Sequence, residues 1–400
     1  MGNQSTVLSR SKLNVDKKNR SNIFSWRGQF TPQFVEYMLD TFACSEDTIF
    51  DPFCGSGTVL LESAKRDLPS VGFEINPAAY AMARFVTLAG LPIKEREELT
   101  ESITSHIYSL IGSYHDIPLF EKSAHFRVRY QNLIQFAGDL LVRIENRNEM
   151  VIALTSLFHA EKTGKGALVV SILRSFDIMK RHLLALPFTT KDLTAELCDA
   201  RLAHKRLSSN TDIILTSPPY INVFNYHQNY RAILEVIGFD LLKVAKSEIG
   251  SNRKNRGNRF RTVVQYALEM EQALISFAHC LREGGLLILV VGRESRVRGI
   301  PFFNSRILLE VAQSLGCYRE EIGEERVFTN RFGKRIKEDI IVLKTVATYT
   351  NAGRAKSVAE RHLEDAMKIA EGDVADDISD TLSEISHIEP SPMFSKKGII

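Results

Sequence analysis

The sequence predicts an α/β fold with a mostly parallel sheet, an antiparallel last strand and a mainly helical insertion. Three observations predict this fold class. Short, continuously apolar runs such as Ile213-Ile214-Leu215 are typical of strands buried on both faces. A strand, a glycine turn and a helix follow one another over residues 48–65, as in α/β units. From about Val86 to Lys191 the apolar residues recur instead with helical periodicity.

Length and composition limit the classes of protein that the chain can be. Its 400 residues, 44% of them hydrophobic, are enough for one large domain with an insertion, or for two domains. The net charge is only +3, so a nucleic-acid partner has to be inferred from local clusters of basic residues. The five cysteines are odd in number and form no CxxC pair, so neither a disulfide framework nor a metal site is predicted.

The glycine turn predicts a cradle for a ligand. It follows the apolar pair Ile49-Phe50 and precedes the helical run Val59 to Lys65. Glycines let the backbone approach a ligand closely, and the free amide groups of a helix N-terminus point toward it. The spacing matches neither the GxGxxG of dinucleotide binders nor a phosphate-binding loop with its lysine. The candidate ligand-binding residues are Asp51, Pro52, Phe53, Cys54, Gly55, Ser56, Gly57 and Thr58.

The next predicted strand, Ser70 to Ile75, carries an acid near its end, Glu74. In Rossmann-like folds an acid at the tip of the second strand accepts hydrogen bonds from the two ribose hydroxyl groups of the ligand. Glu74 is therefore the candidate ribose ligand. The alternative is a charged residue that faces solvent at the end of a strand.

The apolar run Ile213 to Leu215 ends in Thr216-Ser217-Pro218-Pro219-Tyr220. In open α/β sheets, ligands bind at the carboxyl ends of the strands. Two consecutive prolines fix the backbone and remove two amide donors, which leaves carbonyl groups beside a hydroxyl group and an aromatic ring. This corner is suited to accepting hydrogen bonds from an amino group and to stacking on a flat ring. The alternative is a proline-terminated strand followed by an ordinary turn.

Together, Ser-Pro-Pro-Tyr and the Asp-Pro-Phe-x-Gly-x-Gly-Thr of the glycine turn resemble two motifs of the amino-methylating DNA methyltransferases. These enzymes act on N4 of cytosine or N6 of adenine. The resemblance runs from about Ser25 to Lys344. It implies a Rossmann-like S-adenosylmethionine-dependent methyltransferase fold, with S-adenosyl-L-methionine as cofactor.

The first residue of the catalytic motif bears on the target base. Its serine form implies the cytosine-N4 branch and a methyltransferase of a restriction-modification system. Here the motif follows the cofactor loop, whereas in many Ser-Pro-Pro-Tyr enzymes it precedes it. Adenine N6 therefore stays open as the target, and an RNA base is a third alternative.

The resemblance also implies roles for individual residues. Asp51 would accept from the amino group of the cofactor, and Phe53 to Thr58 would surround its methionine moiety. Phe30, in the motif that precedes the glycine turn, would line the methionine end. Asp199 would accept from the adenine amino group, and it is preferred to Asp139, which lies farther upstream in a helical stretch.

A second cluster predicts contact with nucleic acid. Five cations stand within ten residues beside three asparagines, and such density is typical of a surface that binds phosphates; a solvated loop is the alternative. The expected partners are double-stranded DNA with a flipped target base and a cognate restriction endonuclease encoded separately. No membrane partner is expected, and the expected location is the cytoplasm. The predicted DNA-binding residues are Arg253, Lys254, Arg256, Arg259 and Arg261.

These features predict a division of the chain into segments. The helical insertion takes the place where the family has a target-recognition region in one of its motif orders, although basic helical faces are also often just solvated. No segment has the length and apolarity of a signal peptide or a membrane span. The predicted segments are a polar basic arm (1–22), a cofactor-binding half (23–85), the helical insertion (86–191), a catalytic half (192–345) and a helical, acidic C-terminal tail (346–400).

Overall fold

The computed structural model describes residues 8–15, 18–114, 124–163, 167–207, 211–221, 228–251, 254–330, 333–346 and 353–394. Within these ranges the chain forms a main sheet and a separate small hairpin, β6 with β7. The strands are β1 (Ile49–Asp51), β2 (Ser70–Glu74), β3 (Leu193–Leu197), β4 (Thr211–Thr216), β5 (Leu281–Gly292), β6 (Glu294–Val297), β7 (Ile300–Phe303), β8 (Tyr318–Thr329) and β9 (Arg335–Thr345).

The main sheet has the order β3-β2-β1-β4-β5-β9-β8. All of its strands are parallel except β9, which runs antiparallel to both β5 and β8. This is the predicted Rossmann-like methyltransferase fold, with its antiparallel strand near one edge. The strand order reverses between β1 and β4, and such a switch point is where open α/β sheets bind ligands.

Helices cover both faces of the sheet. None of those in the described ranges is long and apolar enough to cross a membrane. The helices are α1 (Arg10–Asn14), α2 (Pro32–Phe42), α3 (Thr58–Ala64), α4 (Pro77–Thr87), α5 (Ile93–Ile111), α6 (Ala124–Leu141), α7 (Arg147–Thr163), α8 (Leu168–Leu184), α9 (Arg231–Val236), α10 (Leu241–Ser247), α11 (Arg261–Cys280), α12 (Asn304–Ser314), α13 (Ala355–Met367) and α14 (Asp373–Ser383).

The central strands are apolar on both faces because both faces are covered. Ile213 and Leu215 of β4 pack in one cluster with residues of α2. Ile214 points the other way and packs in a second cluster with residues of α11. Alternate residues of a strand point to opposite faces, so a strand between two helical layers needs a continuous apolar run.

The helical insertion forms a bundle beside α4, and one buried arginine joins its two ends. Arg96, with 1% of its surface exposed, donates to the carbonyl oxygens of Ala89 and Leu91 at the entry. It also donates to those of Leu186 and Pro187 at the exit. Because a guanidinium group carries five N–H donors, one side chain holds the entry and the exit of the insertion together.

The N-terminal arm, predicted as polar and basic, also buries apolar residues within the part of it that the structure describes. Leu8, Leu13 and Val15 are buried in the cluster that contains α2. Arg20 donates to Glu62, which is fully buried. Three apolar residues among polar ones give little sequence signal, yet they are enough to fix this short segment on the sheet side of α2.

The acidic C-terminal tail is likewise docked on the body of the protein. The Oε1 atom of Glu271, on α11, accepts from the backbone amides of Gly353, Arg354 and Ala355, at the start of α13. A carboxylate at a helix N-terminus is a favourable arrangement because it satisfies amides that have no partner in the helix. α14 follows and buries Ile378.

Candidate active site

A pocket of about 340 Å³ opens at the carboxyl ends of β1, β2 and β4, where the strand order reverses. Its size is within the range of small-molecule sites. The structure brings most of the predicted site residues together in its wall, although their roles remain predictions. They are Phe30, Asp51, Pro52, Phe53, Cys54, Gly55, Thr58, Glu74, Asp199, Ser217, Pro218, Pro219 and Tyr220.

The glycine turn forms one wall of the pocket. Gly55 has a φ of 52°, a conformation that favours glycine, and a Cβ atom there would lie 3.3 Å from Cδ1 of Trp26. Two predicted residues of the turn lie outside the pocket wall. Ser56 donates instead to Oε1 of Gln29 at 2.6 Å, and Gly57 is the residue before α3.

Asp51, at the end of β1, is held by the neighbouring strand β4. Its Oδ1 atom accepts from Oγ1 of Thr216 at 2.6 Å and from the amide of Phe53 at 3.2 Å. Burial raises the pKa of Asp51 to about 7, although these two hydrogen bonds lower it in part. The carboxyl group of Asp51 thus titrates near neutrality.

Glu74, at the end of β2, is fixed in the same way. Its Oε2 atom accepts from the amide of Gly55 at 3.0 Å, and its Oε1 atom accepts from the amide of Asn76 at 2.8 Å. Burial raises the pKa of Glu74 to about 7, and these two hydrogen bonds lower it in part. Glu74 therefore holds the glycine turn and also lines the pocket.

The pocket is strongly acidic. Two further carboxylates, Glu248 and Glu294, line it beside Asp51, Glu74 and Asp199, and Arg27 is the basic residue among its described lining residues. Buried carboxylates are costly unless a cation or several donors compensate them. S-adenosylmethionine offers an ammonium group, a sulfonium group and ribose hydroxyl groups, so its chemistry fits this set of acceptors.

Ser217 to Tyr220 form the opposite wall. The Ser217 Oγ and Tyr220 hydroxyl oxygens are 3.4 Å apart, and both side chains are half-buried. The Tyr220 ring lies against the backbone of Gly292 at the end of β5. A Cβ atom at Gly292 would lie 2.7 Å from Cε2 of that ring, which leaves no room for a side chain.

Asp199 lies in the pocket wall, but its carboxylate already accepts four hydrogen bonds. Oδ1 accepts from the backbone amide and Nε of Arg201. Oδ2 accepts from Nη2 of Arg201 and from the amide of Phe394. A carboxylate has about four acceptor positions, so an adenine amino group would have to displace one of these donors. The tail contact was not predicted.

Sequence reasoning missed several lining residues. Ser247, Glu248 and Ile249 belong to a segment that only tertiary packing brings to the pocket, and no sequence signal marks them. Glu294 follows the end of β5, so the rule that parallel strands share one ligand edge identifies it in retrospect. Trp26 and its neighbours lie in the motif before α2, from which only Phe30 was chosen.

The predicted DNA-binding cluster lies outside the pocket lining. Arg253 falls outside the described residues. Lys254, Arg256 and Arg259 are exposed, and Arg261 is half-buried in an ion pair with Glu384. Three of these four cations are therefore open to solvent, as either a phosphate-binding loop or a solvated loop requires. Asn222 to His227, the segment after the catalytic motif, is also outside the described residues.

The strand order and the acidic pocket at its switch point define a Rossmann-like fold of the S-adenosylmethionine-dependent methyltransferase type. Among solved structures, a methyltransferase of this type from Methanosarcina mazei matches 77% of this chain and 97% of its own, with 12% identity and a TM-score of 0.35. TrmN from Thermus thermophilus matches 80% of this chain and 50% of its own, with 13% identity and a TM-score of 0.33.

Sequence comparison matches parts of the chain to one family model and to two relatives. Residues 3–85 match the family model described as DNA methylase. The Type II methyltransferase M.MjaII of Methanocaldococcus jannaschii is 40% identical over 60 residues, 15% of this chain and 11% of that protein. The Type II methyltransferase M.BsoBI of Geobacillus stearothermophilus is 22% identical over 295 residues, 60% of this chain and 58% of that protein. The chain thus spans less than two thirds of either relative, and the family model matches residues 3–85 of the 400.

The raised pKa values predict how cofactor binding depends on pH. Below pH 7, Asp51 and Glu74 are largely protonated and lose their attraction for a cation. The affinity for S-adenosylmethionine should therefore rise by about tenfold or more from pH 6 to pH 8. Fluorescence of Trp26, the single tryptophan in the chain, provides the titration signal.

The stability of the protein without cofactor should show the opposite trend. An acid whose folded pKa lies above its ordinary value binds more protons when folded, so these two groups favour folding more as the pH falls from 7 toward 4. The increase in Tm caused by S-adenosylmethionine should then be larger at pH 8 than at pH 6. The Asp51→Asn, Glu74→Gln double variant is the control, because it removes both titrations. Equal wild-type affinities at the two pH values would contradict the assignment.

Proposed function

We propose that the protein is a site-specific DNA methyltransferase that transfers a methyl group from S-adenosylmethionine to the exocyclic N4 of cytosine, as part of a restriction-modification system. One observation carries this proposal: the Ser217 to Tyr220 corner and the cofactor-fitted carboxylates line the same pocket. The similarity to the Type II methyltransferases M.MjaII and M.BsoBI supports the DNA substrate.

The chemical difficulty lies in the amino group of the base, whose lone pair is delocalised into the ring. In the proposed reaction, Ser217 Oγ and the Pro218 carbonyl oxygen accept the two amino protons. Two acceptors at this position favour a tetrahedral nitrogen, with its lone pair directed away from the motif and toward the cofactor half of the pocket. When bound there, S-adenosylmethionine supplies an electrophilic methyl group. Orientation then provides much of the rate, and the amino proton is lost to solvent.

Tyr220 supplies the surface on which the base lies. Its ring is half-buried and is held from behind by the backbone of Gly292. A base inside a duplex cannot reach such a pocket, so the target nucleotide has to be flipped out of the helix. Stacking on an aromatic side chain contributes about 1–3 kcal/mol per base, which offsets part of the cost of unstacking.

The choice of cytosine over adenine rests on the first residue of the motif. Ser217 is short and neutral, whereas the Asp or Asn of the adenine enzymes in this family reaches farther. The smaller ring of cytosine presents its amino group from a different depth over Tyr220, and a short acceptor suits that distance. N6-methyladenine is the alternative product.

Ser217→Ala tests the role of the hydroxyl group. It removes one acceptor, so methyl transfer to duplex DNA from labelled S-adenosylmethionine should fall by about tenfold or more, since a hydrogen bond to a buried group contributes ~1–3 kcal/mol. Cofactor affinity, followed by Trp26 fluorescence, should stay nearly unchanged. Ser251→Ala, at a buried serine on another segment, is the control. Undiminished transfer by Ser217→Ala would remove this residue from the mechanism.

Gly292→Ala tests the placement of Tyr220. The added methyl group would clash with the ring, and overpacking of this kind costs typically ~1–3 kcal/mol. Methyl transfer should drop by about tenfold while the cofactor still binds, because the cofactor residues lie on other strands. Gly112→Ala, where a Cβ atom meets nothing within 4 Å, is the matched control. A Gly292→Ala variant as active as Gly112→Ala would show that the ring position does not matter.

A further inference from the structure

The C-terminal acidic segment, residues 371–389, lies on a basic surface of its own chain. The segment holds seven acidic residues and neither lysine nor arginine. The surface is formed by the predicted DNA-binding loop and by Arg298, which stands at the turn between β6 and β7. Sequence reasoning had not assigned Arg298 to any site.

Ion pairs and hydrogen bonds join the two. Arg298 contacts the carboxylates of Asp373, at 2.5 Å, and Asp377. Arg261 pairs with Glu384 at 2.5 Å.

Main-chain oxygens of the segment make further contacts. Asn258 donates to the carbonyl oxygen of Asp377 at 2.6 Å, and Lys254 donates to that of Glu389 at 3.2 Å. Acidic side chains and carbonyl oxygens therefore occupy the donors that DNA phosphates would use.

This basic surface adjoins the wall of the pocket that contains Tyr220. The loop begins just after Gly250, whose Cα lies so close to the Tyr220 carbonyl oxygen that a Cβ atom would not fit. Arg256 and Arg259 of the same loop are exposed and make no ion pair within the described residues. A duplex that delivers a base to Tyr220 would pass beside this loop.

The contacts are of a kind that a polyanion can replace. The side chains of Asp373 and Glu384 are 80% and 52% exposed, and exposed ion pairs contribute little stability. DNA offers a regular array of phosphates, and its binding releases condensed counterions. The apolar side of α14, with Ile378 fully buried, holds the carboxylates in place by packing that does not depend on their charge.

We propose that Arg298 and the loop residues Lys254, Asn258 and Arg261 form a surface for DNA phosphates, and that the acidic segment covers it in competition with DNA. This inference rests on the proposed DNA substrate. It assigns a partner and a role to the tail, and it adds Arg298 to the surface. The segment lowers the affinity for DNA in general, whatever its sequence.

The test uses the full chain and a labelled DNA duplex of mixed sequence. The neutralised variant carries Asp373→Asn, Asp377→Asn and Glu384→Gln. It should bind DNA about tenfold more tightly at low salt, with a salt slope steeper by about two, because two arginines become available to phosphates. Arg298→Gln should weaken DNA binding by severalfold in the neutralised variant and hardly at all in the wild type. The reason is that Arg298 and the acidic side chains contact each other, so their effects on DNA binding are not additive.

The matched control removes the same number of negative charges at the amino ends of the parallel strands, on the side of the sheet away from the pocket. It carries Glu46→Gln, Glu283→Gln and Glu320→Gln, three exposed acids near the amino ends of β1, β5 and β8. Equal DNA affinity of the neutralised and control variants would overturn the inference. Thermal unfolding shows whether the neutralised variant is folded. If it is not, the DNA affinities of the single variants Glu384→Gln and Glu283→Gln give the same comparison for one charge. Absence of DNA binding by every variant and the wild type would instead refute the proposed function, and with it the inference.

Discussion

The hydrogen bond from Thr216 to Asp51 joins the two strands on which the site depends. Ile49 and Phe50 of β1 pair with Ile213 and Ile214 of β4, so the last residues of both strands meet at one edge. The chain between these strands forms β2, β3 and the helical insertion, and Arg96 closes that insertion at its base. The glycine turn after β1 and the Ser217 to Tyr220 corner after β4 are therefore neighbours in the fold, although a long segment of chain separates them in sequence.

The carboxylates of the pocket favour the binding of a cation but lower the stability of the folded protein. Asp51 and Glu74 are buried near each other, and Glu248 adds a third carboxylate that raises the pKa of Glu74 further. Without a ligand these groups resist ionisation, because burial removes them from water. We expect a cationic cofactor to supply the missing charge, so that the carboxylates that lower the stability of the fold also bind the cofactor. Carboxylates with raised pKa values are common at functional sites.

How far the sequence predicts the structure depends on the local signal. β1 and β4 were predicted because buried parallel strands are uniformly apolar. The glycine turn was predicted because its motif, Asp-Pro-Phe-x-Gly-x-Gly-Thr, is specific. β3 and β8 were missed, since they lie at the sheet edges and lack a continuous apolar run, as in Glu320 to Glu325, where four of the six residues are acids. The contact of Phe394 with Asp199 and the approach of Glu248 depend on packing between distant segments. No periodicity in either segment encodes them.

The central claim is that this corner methylates the exocyclic amino group of a DNA base, and the nucleosides themselves test it most directly. DNA from cells that express the protein would be hydrolysed and analysed by mass spectrometry, with single-molecule sequencing to locate the modified positions. The account predicts N4-methylcytosine at one recurrent sequence, and none in cells that express the Ser217→Ala, Tyr220→Ala variant. N6-methyladenine in its place would contradict the assignment of the base, and DNA without any methylated amino group would contradict the claim itself.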